Sequence, residues 1–189
     1  MKYLIFFTIV LSILGCSNKT DNWITYHDKY NIGSISMPNT PTEKLDTLNG
    51  PTFKLVMSIN QAEVSDKLAF SYSLYFPTNI NEFDYFQIKK DSTTLNALFD
   101  SMIKGAEKNS NSEVIARTYF NYPEPGVKIT MHFNETKDIA ICRIVIFDNY
   151  VISTASTGTN DEFSLEMEDK FFKSLKINPK NRNRAMNLN

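Results

Sequence analysis

The chain predicts an α+β domain in which an antiparallel β-sheet is packed by helices, and three features carry that expectation. Apolar residues alternate with polar ones over several stretches, which suits half-buried strands. In other stretches they recur with a period of 3.6, which suits amphipathic helices. The strand-like stretches are joined by short turn signals rather than long crossovers, which favours antiparallel pairing.

In chain order, the first strand is expected over residues 32–37, where Ile32, Ile35 and Met37 alternate imperfectly before Pro38 ends it. Residues 39–42 read as loop. A short strand follows over 43–48 and is closed by Asn49-Gly50, a dipeptide suited to hairpin turns. Beyond it Phe53, Leu55, Met57 and Ile59 share one face, opposite Thr52, Lys54, Val56 and Ser58. The pattern repeats with Leu68, Phe70, Tyr72, Leu74 and Phe76 against Ala69, Ser71, Ser73 and Tyr75. The period then changes: Leu95, Leu98, Phe99, Met102, Ile103 and Ala106 form one helical stripe, with Asp91 or Ser92 available as N-cap.

Four more strands are expected. The first covers residues 113–120, and the turn Pro123-Glu124-Pro125-Gly126 leads to the second, where Val127, Ile129, Met131 and Phe133 alternate with Lys128, Thr130, His132 and Asn134. The third, 139–147, is apolar on both faces except for Arg143, as a central strand covered on both sides would be. Asp148-Asn149 is a two-residue turn into the fourth, 150–157. Thr159-Asn160-Asp161-Glu162 has capping-box spacing, and Phe163, Met167, Phe171, Phe172 and Leu175 supply the apolar face of a closing helix. The tail beyond Pro179 is polar and basic, and no fixed structure is expected for it.

The first sixteen residues have a separate role. Lys2 precedes an apolar run from Leu4 to Leu14, shorter than the roughly 20 residues of a membrane-spanning helix. The run ends in Ile13-Leu14-Gly15-Cys16, which resembles the lipobox of bacterial lipoproteins. That resemblance implies cleavage before Cys16, lipidation of its thiol, and attachment to a cell-envelope membrane. Ser17 after the cysteine resembles the pattern sorted to the outer membrane in two-membraned cells. The segments are then 1–15 as signal peptide, 16–22 as lipidated cysteine and polar tether, 23–178 as domain and 179–189 as tail.

Composition bounds the function. Loss of the leader leaves 174 residues, the size of one domain with a substantial core, carrying 19 basic and 21 acidic groups. That balance gives no basic footprint for nucleic acid. If Cys16 is lipidated, Cys142 has no partner for an intramolecular disulfide, and within its apolar run it reads as a small buried hydrophobe rather than a nucleophile.

The order of elements, Met37-Pro38, Pro41, the Pro125-Gly126 turn and the closing Phe171-Phe172-Lys173-Ser174-Leu175-Lys176 together resemble the fold shared by the photosystem II extrinsic protein PsbP, the Ran-binding Mog family and bacterial DcrB-like lipoproteins. The resemblance implies a helix-flanked antiparallel sheet serving as an accessory or binding module. No catalytic, metal or Ran-contact residue is carried over by it.

Reactive constellations are sparse. His27 lies beside Asp28, and His132 sits on the polar face of its strand. There is no His-x-x-x-His, paired-cysteine motif, phosphate-cradling glycine loop or G-x-S-x-G, so no cofactor and no metal are expected. Arg143 must be paired, exposed or facing a cleft; an ion pair with a helix acid is the expectation, a ligand anchor the sharper reading. Phe83, Tyr85 and Phe86 form an aromatic loop segment that either seals the sheet or contacts a partner. The favoured function is a non-catalytic module for another envelope protein. A carrier of an apolar or lipidic ligand would need a cavity lined from Leu74, Phe83 and Phe99. An enzyme would need His27, Asp28, Arg143 and His132 to converge.

Overall fold

The computed structural model describes residues 23–49, 54–77, 91–121, 124–148, 150–159 and 165–178. The leader and Cys16, the tether to residue 22, the aromatic residues Phe83, Tyr85 and Phe86, Phe163, the capping box after Thr159 and the basic tail lie outside the described residues. The described chain is a single α+β domain of antiparallel sheets and two helices.

A seven-stranded antiparallel sheet forms its centre. It contains β3 (Thr42–Asn49), β4 (Lys54–Ser65), β5 (Leu68–Pro77), β6 (Ser112–Phe120), β7 (Gly126–Phe133), β8 (Ile139–Phe147) and β9 (Tyr150–Gly158), in spatial order β3-β4-β5-β9-β8-β7-β6. A smaller sheet, β1-β2-β10, is built from β1 (Ile24–His27), β2 (Gly33–Met37) and β10 (Lys176–Ile177). β1 and β10 were not anticipated; each is short, and each is held by pairing to β2 rather than by its own periodicity.

The long helix α1 (Ser92–Ser110) starts at Asp91, whose side chain accepts from the Thr93 amide at 3.0 Å. It ends at Asn111, in the left-handed conformation at φ 47°. Its stripe, with Leu95, Phe99 and Ile103 buried, packs on the even-numbered side chains of β8 (Ala140, Ile144, Ile146) and on Val127, Ile129 and Met131 of β7. The odd side chains Val145 and Phe147 enter the other core with Phe70, Tyr72 and Leu74, beneath β2 and Phe171 and Phe172 of the closing helix α2 (Leu165–Lys173). β8 is therefore covered on both faces, as its two-sided apolarity predicts.

Two local expectations change. Asn49 is still in the ladder opposite Lys54, so β3 runs one residue past its expected limit, and Gly50 of the expected Asn49-Gly50 turn lies outside the described residues. In β4 the inward phase belongs to Val56, Ser58, Asn60, Ala62 and Val64, with Ser58 and Asn60 both 1% exposed. Met57 is buried on the reverse face. Period two identifies a strand but not which face has the better cover. The β8–β9 turn is as expected: Phe147 opposes Tyr150, and Asp148 takes φ 54°, the positive φ that such a hairpin needs.

Gly126 begins β7 where no side chain fits: a Cβ there would lie 2.5 Å from Phe120 Cζ and 2.6 Å from the Ile144 carbonyl oxygen. Gly126→Ala is expected to cost about 1–3 kcal/mol by overpacking, read as a lowered urea midpoint at unchanged m-value. A midpoint equal to wild type would show that Phe120 moves aside freely.

Candidate functional site

On the α2 side of the sheet, polar residues stand in register across all seven strands. Glu43 opposes Asn60, Asn60 opposes Tyr72, Tyr72 opposes Thr154, Thr154 opposes Arg143, Arg143 opposes Lys128, and Lys128 opposes Thr118. A polar row under a hydrophobic core must be hydrogen-bonded to be tolerated, and its partners come from β1, the β1–β2 turn and α2.

At the β3 end, Tyr26 donates from its hydroxyl to Asn60 Oδ1 at 2.6 Å, and Asn60 Nδ2 donates to Ser58 Oγ at 3.3 Å. Ser58 donates onward to Glu43 at 2.9 Å, which pairs with Lys29 at 2.9 Å. Beside this chain, buried Asp28 collects four donors. Its carboxylate accepts from the amides of Tyr30 at 2.9 Å, Ile32 at 3.2 Å and Gly33, and from the Tyr72 hydroxyl at 3.2 Å. Asn31 closes the same turn at φ 58°. Gly33 leaves room for the Tyr72 hydroxyl, which would lie 2.9 Å from any Cβ at that position.

The electrostatics follow from this packing. Burial, then the carboxylates of Glu43 and Asp28, push the Tyr26 hydroxyl up to about 12. Burial and the charge of Asp28 raise Tyr72 well above the ordinary tyrosine value. The hydrogen bond from Lys29 holds Glu43 below the usual carboxylate range, and the same bond raises Lys29. The cluster therefore keeps its phenols protonated at neutral pH.

At the other end, Arg143 is half-buried. One of its guanidinium nitrogens donates to the Phe172 carbonyl at 3.1 Å, near the end of α2, and the group stands 4.7 Å from the Phe120 ring centroid. The expected ion pair with a helix acid is not formed among the described residues; Glu168 of α2 goes instead to Lys128, at 2.6 Å. A cation near a helix C-terminus is favoured by the carbonyls that the helix leaves unpaired, and an aromatic face completes its surroundings. Burial lowers the Arg143 pKa without discharging it.

The other sequence candidates do not assemble into a centre. His27 is exposed on β1 whereas its neighbour Asp28 turns inward, and His132 lies in β7. Burial pushes the Cys142 thiol up to about 12, so it carries almost no thiolate at neutral pH. Among the described residues no group of three or more His, Cys, Asp and Glu side chains could hold a metal ion. Leu74 and Phe99 sit in separate cores on opposite faces of the sheet and do not line one cavity. Cys16, Phe83, Tyr85 and Phe86 lie outside the described residues. Sequence reading missed Tyr26, Asn60 and Tyr72 as a network; the readable signal was Ser58 and Asn60 in phase with Val56, Ala62 and Val64.

No protein-family model and no curated protein matches the chain. Among solved structures, the chain is similar to cyanobacterial PsbP (CyanoP) from Synechocystis sp. PCC 6803, at 12% identity and TM-score 0.54, over 89% of this chain and 99% of that one. A protein of unknown function, PA94 from Pseudomonas aeruginosa, matches at 11% identity and TM-score 0.37, over 88% of this chain and 96% of that one. With its sheet order, its two helices and the likeness to CyanoP, the domain has the PsbP-like fold.

Proposed function

We propose that the protein is a lipid-anchored cell-envelope lipoprotein whose domain is a non-catalytic binding or accessory module for another envelope protein. The observation that carries this reading is the Ile13-Leu14-Gly15-Cys16 ending of a short apolar leader, followed by six residues without an apolar side chain. Several acyl chains on Cys16, at about 0.8 kcal/mol per buried CH₂, would hold the domain stably at a membrane. The side chains best suited to chemistry are engaged in holding the fold, which supports a module rather than a catalyst: Asp28 accepts from three amides and a phenol, and Arg143 donates to Phe172. The separation of Leu74 from Phe99 favours the module over a carrier of an apolar ligand. On this reading Phe83, Tyr85 and Phe86 are the partner-contact residues, and the membrane is an outer membrane where the cell has two.

Expression of wild type and Cys16→Ser in a bacterial host, followed by intact-mass measurement and membrane fractionation, tests the anchor. Wild type is expected in the membrane fraction with the mass of the acyl groups. The variant is expected to be unacylated, retaining its leader or released. Soluble, unmodified wild type would overturn the envelope reading. Crosslinking from wild-type membranes then compares the triple alanine variant of Phe83, Tyr85 and Phe86, whose loss of the captured protein is expected; retention would remove those residues from the contact.

A further inference from the structure

The two edges of the large sheet are built differently. β6 carries a register shift between Val114 and Ala116, and its Arg117 is tied to Asp100 and Tyr119. Bulges and engaged charges of this kind discourage a further strand from adding. β3 has no register shift, and of its charges only Glu43 is engaged among the described residues, by Lys29 and Ser58. It pairs with β4 in unbroken register from Thr42 to Asn49, and its other side has no strand among the described residues. Leu45, at its middle, is 54% exposed.

Two of the three charges on β3 are placed either side of Leu45. Lys44 and Asp46 flank it and share the opposite face, over Ile59 and Met57. Neither has an opposite-charge partner among the described residues; Asp46 only accepts from the Thr47 amide, at 2.7 Å. If a second β3 is laid antiparallel with a two-fold axis through Leu45, Lys44 of each copy opposes Asp46 of the other. Leu45 then meets its own counterpart on the reverse face, and Glu43 opposes Thr47. Opposite charges directly across an antiparallel pair stabilise it, and a two-fold axis makes each contact twice.

We infer that β3 is a self-association edge, which joins two copies of this chain into a continuous antiparallel sheet through Lys44–Asp46 pairs on either side of Leu45. The inference stands whether or not Cys16 is lipidated. An eight-residue edge alone makes a small interface of the weak, transient class, so a covalent trap is the suitable readout.

Leu45→Cys places a thiol against its own copy across the axis, and Ile115→Cys on β6, at 57% exposure, is a control of matched accessibility. The full chain is oxidised mildly at equal concentrations, with wild type giving the background. Leu45→Cys is expected to form a disulfide dimer and Ile115→Cys to stay at background. Within Leu45→Cys, Lys44→Glu alone or Asp46→Lys alone should cut dimer yield about tenfold, because each turns both pairs repulsive, and the two together should restore it. Zero-length carbodiimide crosslinking of wild type mixed with isotope-labelled wild type requires no variant: a mixed-isotope Lys44–Asp46 link is expected. Equal dimer yields from the two cysteine variants, charge reversals without effect or rescue, or only single-isotope links would overturn the inference.

Discussion

Asp28→Ala is expected to cost about 3–5 kcal/mol of stability, because it leaves three backbone amides and a buried phenol without their acceptor. Few single changes approach this size, and here the cause is local. The carboxylate is the centre of the turn that reverses β1 into β2, and it also ties that turn to β5 through Tyr72. Asp28→Asn keeps one acceptor oxygen but turns an amide group toward inward-pointing donors, so it should recover only part of the loss. Urea unfolding of both variants checks this, with the m-value showing whether the transition stays two-state. Midpoints within experimental error of wild type would mean that water reaches the turn and replaces the carboxylate. Tyr72→Phe combined with Asp28→Ala should cost less than the sum of the single changes, since each removes the same 3.2 Å bond.

The second expected result is a steep loss of stability in alkali. Tyr72 and Tyr75 have pKa values raised chiefly by burial, and burial pushes the Cys142 thiol to about 12. A group whose folded pKa is raised keeps its full contribution below its unfolded pKa and loses it as pH rises above that value. For the thiol the loss begins near pH 9 and for the phenols near pH 10, where the unfolded chain ionises and the folded one does not. A group that stays protonated in the folded domain while the unfolded chain ionises contributes up to about 1.4 kcal/mol per pH unit, and Tyr72, almost wholly buried, comes nearest to that limit. Tyr26, partly solvated, adds less. Denaturant midpoints measured between pH 8 and 11 read the slope, and Tyr72→Phe should make it shallower. A slope unchanged by that substitution would show that the Tyr72 hydroxyl ionises as readily in the folded domain as outside it. Acid acts through Glu43: its lowered pKa makes its contribution present above the ordinary carboxylate range and lost as pH falls through its folded value. That effect is small because the Lys29–Glu43 pair is largely solvated.

The elements whose signal is local were legible in the chain. β5, β7 and α1 have one clean apolar phase each, and β8 is apolar on both phases because both its faces are covered. The Asp91 cap and the Asp148 turn depend on neighbours a few residues away and were equally readable. β10 was not, since two residues have no period, and β1 acquires its identity only by lying against β2. Which face of β4 has the deeper cover was not legible for a related reason: Met57 and Ile59 are more apolar than Ser58 and Asn60, yet Tyr26 and Glu43 supply the bonds that let the polar pair go inside.

The candidate site divides the same way. Sequence marked Asp28 and Arg143 as unusual, one for its histidine neighbour and one for its apolar surroundings, and both are structural centres of gravity in the fold. Their partners, Tyr72 and the Phe172 carbonyl, lie 44 and 29 residues away along the chain, and no spacing rule connects them. The chain alone determined the α+β class, the period and approximate limits of its main strands and long helix, and the lipobox-like leader, because these depend on the order of neighbouring side chains. Only the tertiary structure decided which strand faces are inside, which carboxylate meets which donor, and which sheet edges lack a further strand among the described residues, because those depend on strands and helices brought together from distant parts of the chain.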